Sequence, residues 1–397
     1  MKINAIKKSI PRGWIVKKMD DFIKEGTITL GRGEVISKTD INNYPGENPI
    51  YSSSVKNNAL FGTYAKYMFD EELITWSVDG GGDFFHRPKH KFSVTNVSGY
   101  MNVDQKQFDY KFLSYYLQEE HSKKSFDYQN KAHPSVIRGL YEIAKPPIKE
   151  QQKIAEILGT VDEDIAKTQD VIDATEKLKR GLMQQLFTRG IGHTKFKKTK
   201  FGDIPEEWSD LTMEDVCVVR QGLQIPISER FKEVGMNRYV YLTIKYLRDA
   251  HLPDIAEYIE NPSKNVVCKE DDILMTRTGN TGKVITGVTG VFHNNFFLVD
   301  YDRNKIDKQF FVYYLNSDLI QKMIKVRAGS TTIPDLNHGD FYSLPLALPK
   351  KPEQQRIAET LLAIDEKILV NKILKAKFTL LKKGLMQDLL SGKVRTI

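Results

Sequence analysis

Two stretches of this chain are near copies: "EQQKIAEILGTVDEDI", beginning at Glu150, and "EQQRIAETLLAIDEKI", beginning at Glu353. They lie 203 positions apart in 397 residues, so the period is about half the protein. A repeat on that scale constrains the fold more than any composition does. Aligned without a gap from Glu150 to Phe187 and from Glu353 to Leu390, the copies are identical at 17 of 38 positions.

Each copy carries apolar residues at alternating steps of three and four. The first places Ile154, Leu158, Val161, Ile165, Ile172, Leu182 and Leu186 in one series, and the second Ile357, Leu361, Ile364, Ile368, Phe378, Leu385 and Leu389. Such spacing keeps one stripe on one helix face and predicts two long helices that pack along each other. At 1.5 Å per residue each would be about 57 Å long. Thr168 and Asn371 interrupt the stripe at equivalent places. Either they meet across the seam and fix its register, or they face solvent. "LKRGLMQQL" from Leu178 and "LKKGLMQDL" from Leu381 each hold a glycine, Gly181 and Gly384. A helical glycine costs about 1 kcal/mol relative to alanine, so close helix approach or a kink near the helix end is expected there.

Ahead of each helix stands a segment of mixed helix and strand signals, and the two segments echo each other faintly. Both open on Ile-Pro-x-x-Trp, at Ile10 and Ile204. "EELITW" from Glu71 parallels "DDILMT" from Asp271, each an acidic turn entering a strand. "DYKFLSYYL" from Asp109 parallels "DKQFFVYYL" from Asp307, each an acidic N-cap before a helical pattern. A proline stop then leads into the long helix. The chain therefore divides into a first globular domain at 1–148, a helix at 149–190, a second globular domain at 191–350 and a C-terminal helix at 351–397. The expected class is mixed α/β: two globular domains separated by two long antiparallel helices that form a coiled coil, in a pseudo-twofold arrangement. Two inverted modules of this kind suit a bipartite DNA site, as symmetric dimers suit half-sites.

Charge fits that partner. The formal net charge is +8 and the pI near 9.0, which favours a polyanion. The first repeat holds six Lys/Arg against eight acids between Glu150 and Gly190, so the positive excess lies elsewhere. The run Arg189 to Gly202 has five basic residues and no acid, and reads as a basic linker at 189–200, solvated or touching phosphate. Cys217 and Cys268 form no CxxC pair, no leader-like or membrane-spanning stretch stands out, and a cytoplasmic location is expected.

The Pro-then-EQQ(K/R)IAE start, the LK(R/K)GLMQ end, their recurrence at half-chain distance and the IPxxW openings resemble the specificity subunit of type I restriction-modification systems. The resemblance implies a subunit without catalysis, whose two target recognition domains each read one half of a bipartite, asymmetric sequence in double-stranded DNA. It implies that the helices set the spacer and recruit two modification (methyltransferase) subunits, with restriction subunits able to join. It also implies no cofactor on this chain, S-adenosylmethionine, ATP and Mg being held by partner subunits.

No catalytic site of the chain's own assembles from the sequence. There is no Asn/Asp-Pro-Pro-aromatic string for a flipped adenine. "TGNTGKV" from Thr278 lacks both the first glycine and the hydroxyl of a phosphate loop. "VDGGGDFF" from Val78 reads as a turn between strands, and Pro88 makes a metal-binding helix through His86 and His90 improbable.

Base reading needs Arg, Asn, Gln, Ser and Thr on loops between strands. In the first domain the candidates are Ser53, Lys56, Asn57, Asn58, Asp79, Lys131, His133 and Ser135. In the second they are Arg277, Thr278, Asn280, Thr281, Lys283, Arg327, Ser330 and Thr331. Arg277 and Lys283 stand out because they pair charge with glycines that permit close approach. Trp76, inside a β-branched run, reads as core. A protein-interaction scaffold whose basic charge is incidental is the alternative; binding to random duplex DNA that weakens with salt distinguishes the two.

Overall fold

A computed structural model describes residues 11–54, 57–79, 83–124, 131–249, 252, 254–329 and 334–396. The chain forms two compact units: Met1–Gln169 with Lys372–Ile397, and Asp170–Asn371. The long helices, Ile148–Arg189 and Lys351–Leu390, are each shared between the two. Each unit thus holds one globular module, the first half of the helix that follows it, and the last half of the other helix.

In the first unit a six-stranded sheet runs in the order Ile28–Arg32, Ser98–Val103, Phe69–Ser77, Phe84–Val94, Asn48–Tyr51, Leu60–Tyr64. All neighbours are antiparallel except Asn48–Tyr51 with Phe84–Val94. The register slips between Glu71 and Leu73 opposite Arg87 to His90. This places Pro88, which cannot donate to a ladder, in an irregularity. Leu73, Phe92 and Val94 pack together as one apolar group, while Ile74, Trp76, Phe84 and Met101 belong to the main core. Alternation along a strand divides its side chains between two faces in this way. The main core also takes in Tyr110, Phe112, Leu113 and Leu117 of helix Tyr110–Ser122. Ile154 and Leu158 of one long helix join it, with Met386, Leu389 and Leu390 of the other.

The second unit has two four-stranded sheets. One runs Cys217–Gln221, Phe296–Tyr301, Ile273–Thr276, Val284–Ile285; the other Tyr258–Glu260, Arg238–Leu242, Gly290–Phe292, Val267–Cys268. Its largest core gathers Phe310, Phe311 and Tyr314 of helix Lys308–Leu315 with Leu186, Phe187, Ile357 and Leu361 of the long helices. The basic stretch after Arg189 is no free linker: Phe196–Thr199 pairs antiparallel with Gly202–Pro205, and Lys197 Nζ donates to the Trp208 carbonyl at 2.5 Å.

Within each unit the helix halves run antiparallel. In the first, Gln169 meets Lys375, Asp162 meets Lys382 and Glu150 meets Arg395. In the second, Lys179 meets Asp365, and Ile191, just past the helix, meets Glu353. Ile154, Leu158, Val161, Ile357, Leu361 and Ile368 are buried; Ile165, Leu182, Ile364 and Leu385 are half-buried.

The polar interruptions do something different from pairing. Thr168 Oγ1 donates to its own helix at the Asp164 carbonyl (2.6 Å), and Asn371 Nδ2 to that of Lys367 (2.8 Å). Four-back bonding of this kind satisfies a polar side chain locally. The Lys179–Asp365 and Lys382–Asp162 ion pairs join one helix to the other instead. The two glycines do not sit at a close approach either, since a Cβ at Gly181 or Gly384 would meet nothing within 4 Å. Both helices continue past them, and nothing in the structure explains the shared glycine.

Candidate nucleic-acid interface

A mount repeated in plan underlies each module. In the first unit Trp14 Nε1 donates to Glu150 Oε2 at 3.1 Å, and Arg395 donates to both carboxylate oxygens at 2.6 and 2.8 Å. In the second, Trp208 Nε1 donates to Glu353 Oε2 at 3.0 Å, and His193 Nε2 lies 2.9 and 3.1 Å from its oxygens. The IPxxW tryptophan thus docks on the first residue of EQQ. Residues following the antiparallel helix complete the carboxylate's shell.

The next residue repeats too. Gln151 Oε1 accepts from Asp109 N, and its Nε2 donates to the Gln107 and Pro146 carbonyls. Gln354 does the same with Asp307 N and the Lys305 and Pro349 carbonyls. Both glutamines are fully buried. Tyr115 donates to Asp162 (2.5 Å) and Tyr313 to Asp365 (2.7 Å), and burial first, then the carboxylate, pushes both phenol pKa values up. The adjacent Tyr116 and Tyr314 bridge the strands Glu142–Lys145 and Pro345–Leu348. Sequence reasoning treated these polar residues as background to the apolar stripe. Their identity in both copies was the signal that marked them.

On this mount the first unit places its candidates unevenly. Ser53 is half-exposed, Asn57 and Asn58 are exposed, and Lys56 lies outside the described residues. Asn57, Asn58 and Ala59 have φ of 50, 52 and 62°, a left-handed turn that costs roughly 1–2 kcal/mol per residue for a side chain with a Cβ and is eased by asparagine. Asp79 and Lys131 spend their charge on each other at 2.8 Å. His133 caps helix Pro134–Leu140 and bonds Ser135 Oγ at 2.8 Å, so both stabilise a helix start. Trp76 is core, its Nε1 donating to the Ala132 carbonyl at 2.8 Å. Gly80–Gly82, the centre of the glycine run, lies outside the described residues.

Arg87, which the sequence reading passed over, is 1% exposed. Its guanidinium lies 3.6 Å from the Tyr51 ring and 4.7 Å from that of Phe85. Nε donates to Thr75 Oγ1 and a terminal nitrogen to the Asn58 carbonyl, both at 3.0 Å. Burial lowers its pKa to about 10. Only the unusual placement of an arginine beside Pro88 in an aromatic strand could have suggested it.

In the second unit Arg277 is not a free hand for guanine. It forms a two-point ion pair with Asp335 at 3.1 and 2.7 Å. The loop that follows is a tight turn with Gly279 at φ +81° and Gly282 at +87°. It is tied down by Thr281 Oγ1 to the Pro334 carbonyl (2.9 Å) and by Gln321 Nε2 to that of Gly282 (2.8 Å). Thr278 is half-buried, and its backbone bridges Asp335. Asn280 is exposed, its carbonyl accepting from Thr276 Oγ1. Lys283 is exposed and, among the described residues, in no ion pair. Arg327 is half-buried and donates to the Ser343 carbonyl at 3.1 Å; Ser330 and Thr331 lie outside the described residues. Among the described candidates, the side chains left available are therefore Ser53, Asn57 and Asn58 in one unit, and Asn280 and Lys283 in the other.

Among the described residues no group of three or more His, Cys, Asp or Glu could hold a metal ion. No helix among them is long and apolar enough to cross a membrane.

Known proteins carry the same double plan. The sequence profile described as the type I restriction modification DNA specificity domain matches twice, over residues 11–176 and 205–379. The chain belongs to this family. It is 26% identical to the type I restriction enzyme MjaVIII specificity subunit of Methanocaldococcus jannaschii, with 97% of this chain and 94% of the relative covered. To the putative type I restriction enzyme MjaX specificity subunit of the same organism it is 30% identical over 72% of this chain and 68% of the relative. The crystal structure of a type I restriction-modification S subunit from M. genitalium shares the fold. Its TM-score is 0.58 at 17% identity, over 98% of each chain. A chain from a structure of type I system assembly and conformational transition gives a TM-score of 0.61 at 12% identity, over 97% of this chain and 100% of that one. Each profile match joins a module to the helix after it, whereas each compact unit borrows the end of the other helix.

Proposed function

We propose that this member of the type I specificity family reads a bipartite sequence in double-stranded DNA, one half with each unit, without catalysis of its own. The observation that carries the reading is the duplicated mount, Trp14–Glu150 and Trp208–Glu353, beneath sheets of different topology. A shared frame under unlike heads is what two different half-sites require.

The helices, 42 and 40 residues long, set the spacing between half-sites and recruit modification subunits. Exposed apolar side chains support the recruitment. The second long helix shows Leu362, Leu369 and Val370 in one unit and Ile373, Leu374, Leu380 and Leu381 in the other, whereas the first shows only Val171 and Leu178. Apolar residues on an otherwise solvated helix mark a protein contact. S-adenosylmethionine, ATP and Mg act on the partners, restriction subunits join the same assembly, and the complex works in the cytoplasm. Nothing in the geometry favours a scaffold that ignores DNA.

Mapping methylated adenines in cells expressing the chain with its modification subunits tests the reading. One bipartite motif is expected, and inserting one helical turn in both long helices lengthens its unread spacer while leaving both halves unchanged. Binding to random duplex DNA weakens steeply with salt as counterions are released; binding that is flat with salt would favour the scaffold.

A further inference from the structure

A guanidinium buried in a sheet is costly unless it is paired. Arg87 is buried to 1% exposure, and among the described residues it forms no ion pair with a carboxylate. Two aromatic faces, a threonine hydroxyl and the Asn58 carbonyl are what it holds. An apolar residue filling the same space could meet the two aromatic faces but would supply no N–H to either oxygen. Of these, the Asn58 carbonyl bears on the surface, because Asn58 lies in the middle of a left-handed turn at Asn57–Ala59. That turn is clamped from its other side as well, by Ser52 N donating to the Ala59 carbonyl at 2.9 Å. Tyr51, which stacks on the guanidinium, is itself tied to His90 at 3.0 Å. The result is a turn held from two sides, whose exposed members are two adjacent asparagines, the side chain whose amide matches the N6 and N7 edge of adenine.

We propose that Arg87 is a positioning residue for base reading: it holds the Asn58 carbonyl from within the sheet so that Asn57 and Asn58 discriminate an A·T pair in the first unit's half-site. The second unit reaches the same end by another route, with Arg277 on Asp335 pinning the turn that presents Asn280 and Lys283. The proposal rests on the DNA-reading function above and adds which residues set specificity.

The test uses the full chain with its modification subunits, reading the methylated motif genome-wide. The first unit's half-site is the half that changes when residues 51–135 are exchanged for those of a relative. Asn58→Gly keeps the left-handed turn and the carbonyl while deleting the amide, and Asn57→Gly does likewise next door. Arg87→Lys keeps the charge and loses the fork; Arg87→Gln, which keeps an amide N–H donor and removes the buried charge, stands in if the lysine variant does not fold. Methylation at sites mismatched at one A·T position of that half is expected to rise about tenfold in the Asn variants and at the same position in the Arg87 variant. The other half should stay as strict as before, which also shows that the chain is folded and assembled. A merely structural role for Arg87 would lower methylation at every site without relaxing one base. An unchanged motif in Asn57→Gly and Asn58→Gly, or relaxation at a different position in the Arg87 variant, would overturn the proposal. No bipartite motif from the unaltered chain would instead overturn the DNA-reading function itself.

Discussion

The two units of this chain agree where they are mounted and differ where they face outward. Below, the Trp–Glu, Gln and Tyr–Asp contacts recur: Trp14, Glu150, Gln151, Tyr115 and Asp162 in one, Trp208, Glu353, Gln354, Tyr313 and Asp365 in the other. Above, one unit builds a single six-stranded sheet and the other two four-stranded sheets. The frame must satisfy buried polar groups, and a buried carboxylate or amide tolerates few arrangements. The sheets need only a packed core, which many sequences supply. Constraint therefore falls on the mount, leaving the surfaces that would meet DNA able to diverge.

Removing the central carboxylate should break this likeness most strongly, and unequally. Glu150 is completely buried and holds an indole N–H and a part-exposed bidentate arginine, so Glu150→Ala should cost about 3 kcal/mol, chiefly by stranding the Trp14 indole N–H and opening a hole beneath it. Glu353, whose side chain is 16% exposed, is shared by Trp208, His193 and the Ile191 amide. Water can replace part of that shell, and about 2 kcal/mol is expected for Glu353→Ala. Urea unfolding of the two variants measures the difference. Equal losses would mean that burial does not distinguish the two mounts.

A smaller effect should be symmetrical. Asp162 receives Tyr115 and Lys382, and Asp365 receives Tyr313 and Lys179. Tyr115→Phe and Tyr313→Phe should each cost about 1.5 kcal/mol, the low end for a hydrogen bond to a charged acceptor because the site is only partly buried. Lys382→Ala and Lys179→Ala should cost about 0.5 kcal/mol each, since these lysines are a quarter exposed and partly screened. Double variants with the matching aspartate separate the pair energy from the loss of packing.

What was legible in the sequence divides along the same line. The repeat announced the long helices, because an apolar stripe has a period and a copy of it has a phase. Ile154, Leu158, Ile357 and Leu361 are buried in the cores for that reason. The polar residues inside the stripe were harder. Thr168 and Asn371 could be read as mates, but each is satisfied four residues back on its own helix, a choice sequence spacing cannot express. Gly181 and Gly384 suggested crowding where there is open space. The outward loops were least legible. Arg277 looked free until Asp335, 58 residues on, came beside it, and Arg87 looked ordinary until the sheet closed around it. Partners brought by tertiary contact leave no local trace.

The least energetic difference between the units supplies a probe for the others. Both cysteines, Cys217 and Cys268, lie in the second unit. Burial pushes the Cys217 thiol up to about 12 and the Cys268 thiol to about 11. Only thiolate reacts, and at pH 8 an ordinary cysteine is ionised to roughly a quarter. The native thiolate fractions should be lower by on the order of a hundredfold or more at both, so labelling of either with a thiol reagent should be slow. Opening the second unit restores ordinary reactivity to both. Glu353→Ala should therefore accelerate labelling more than Glu150→Ala does, even though the latter is expected to cost more stability. The reverse order would mean that the second unit's cysteines do not report on the mount beneath them.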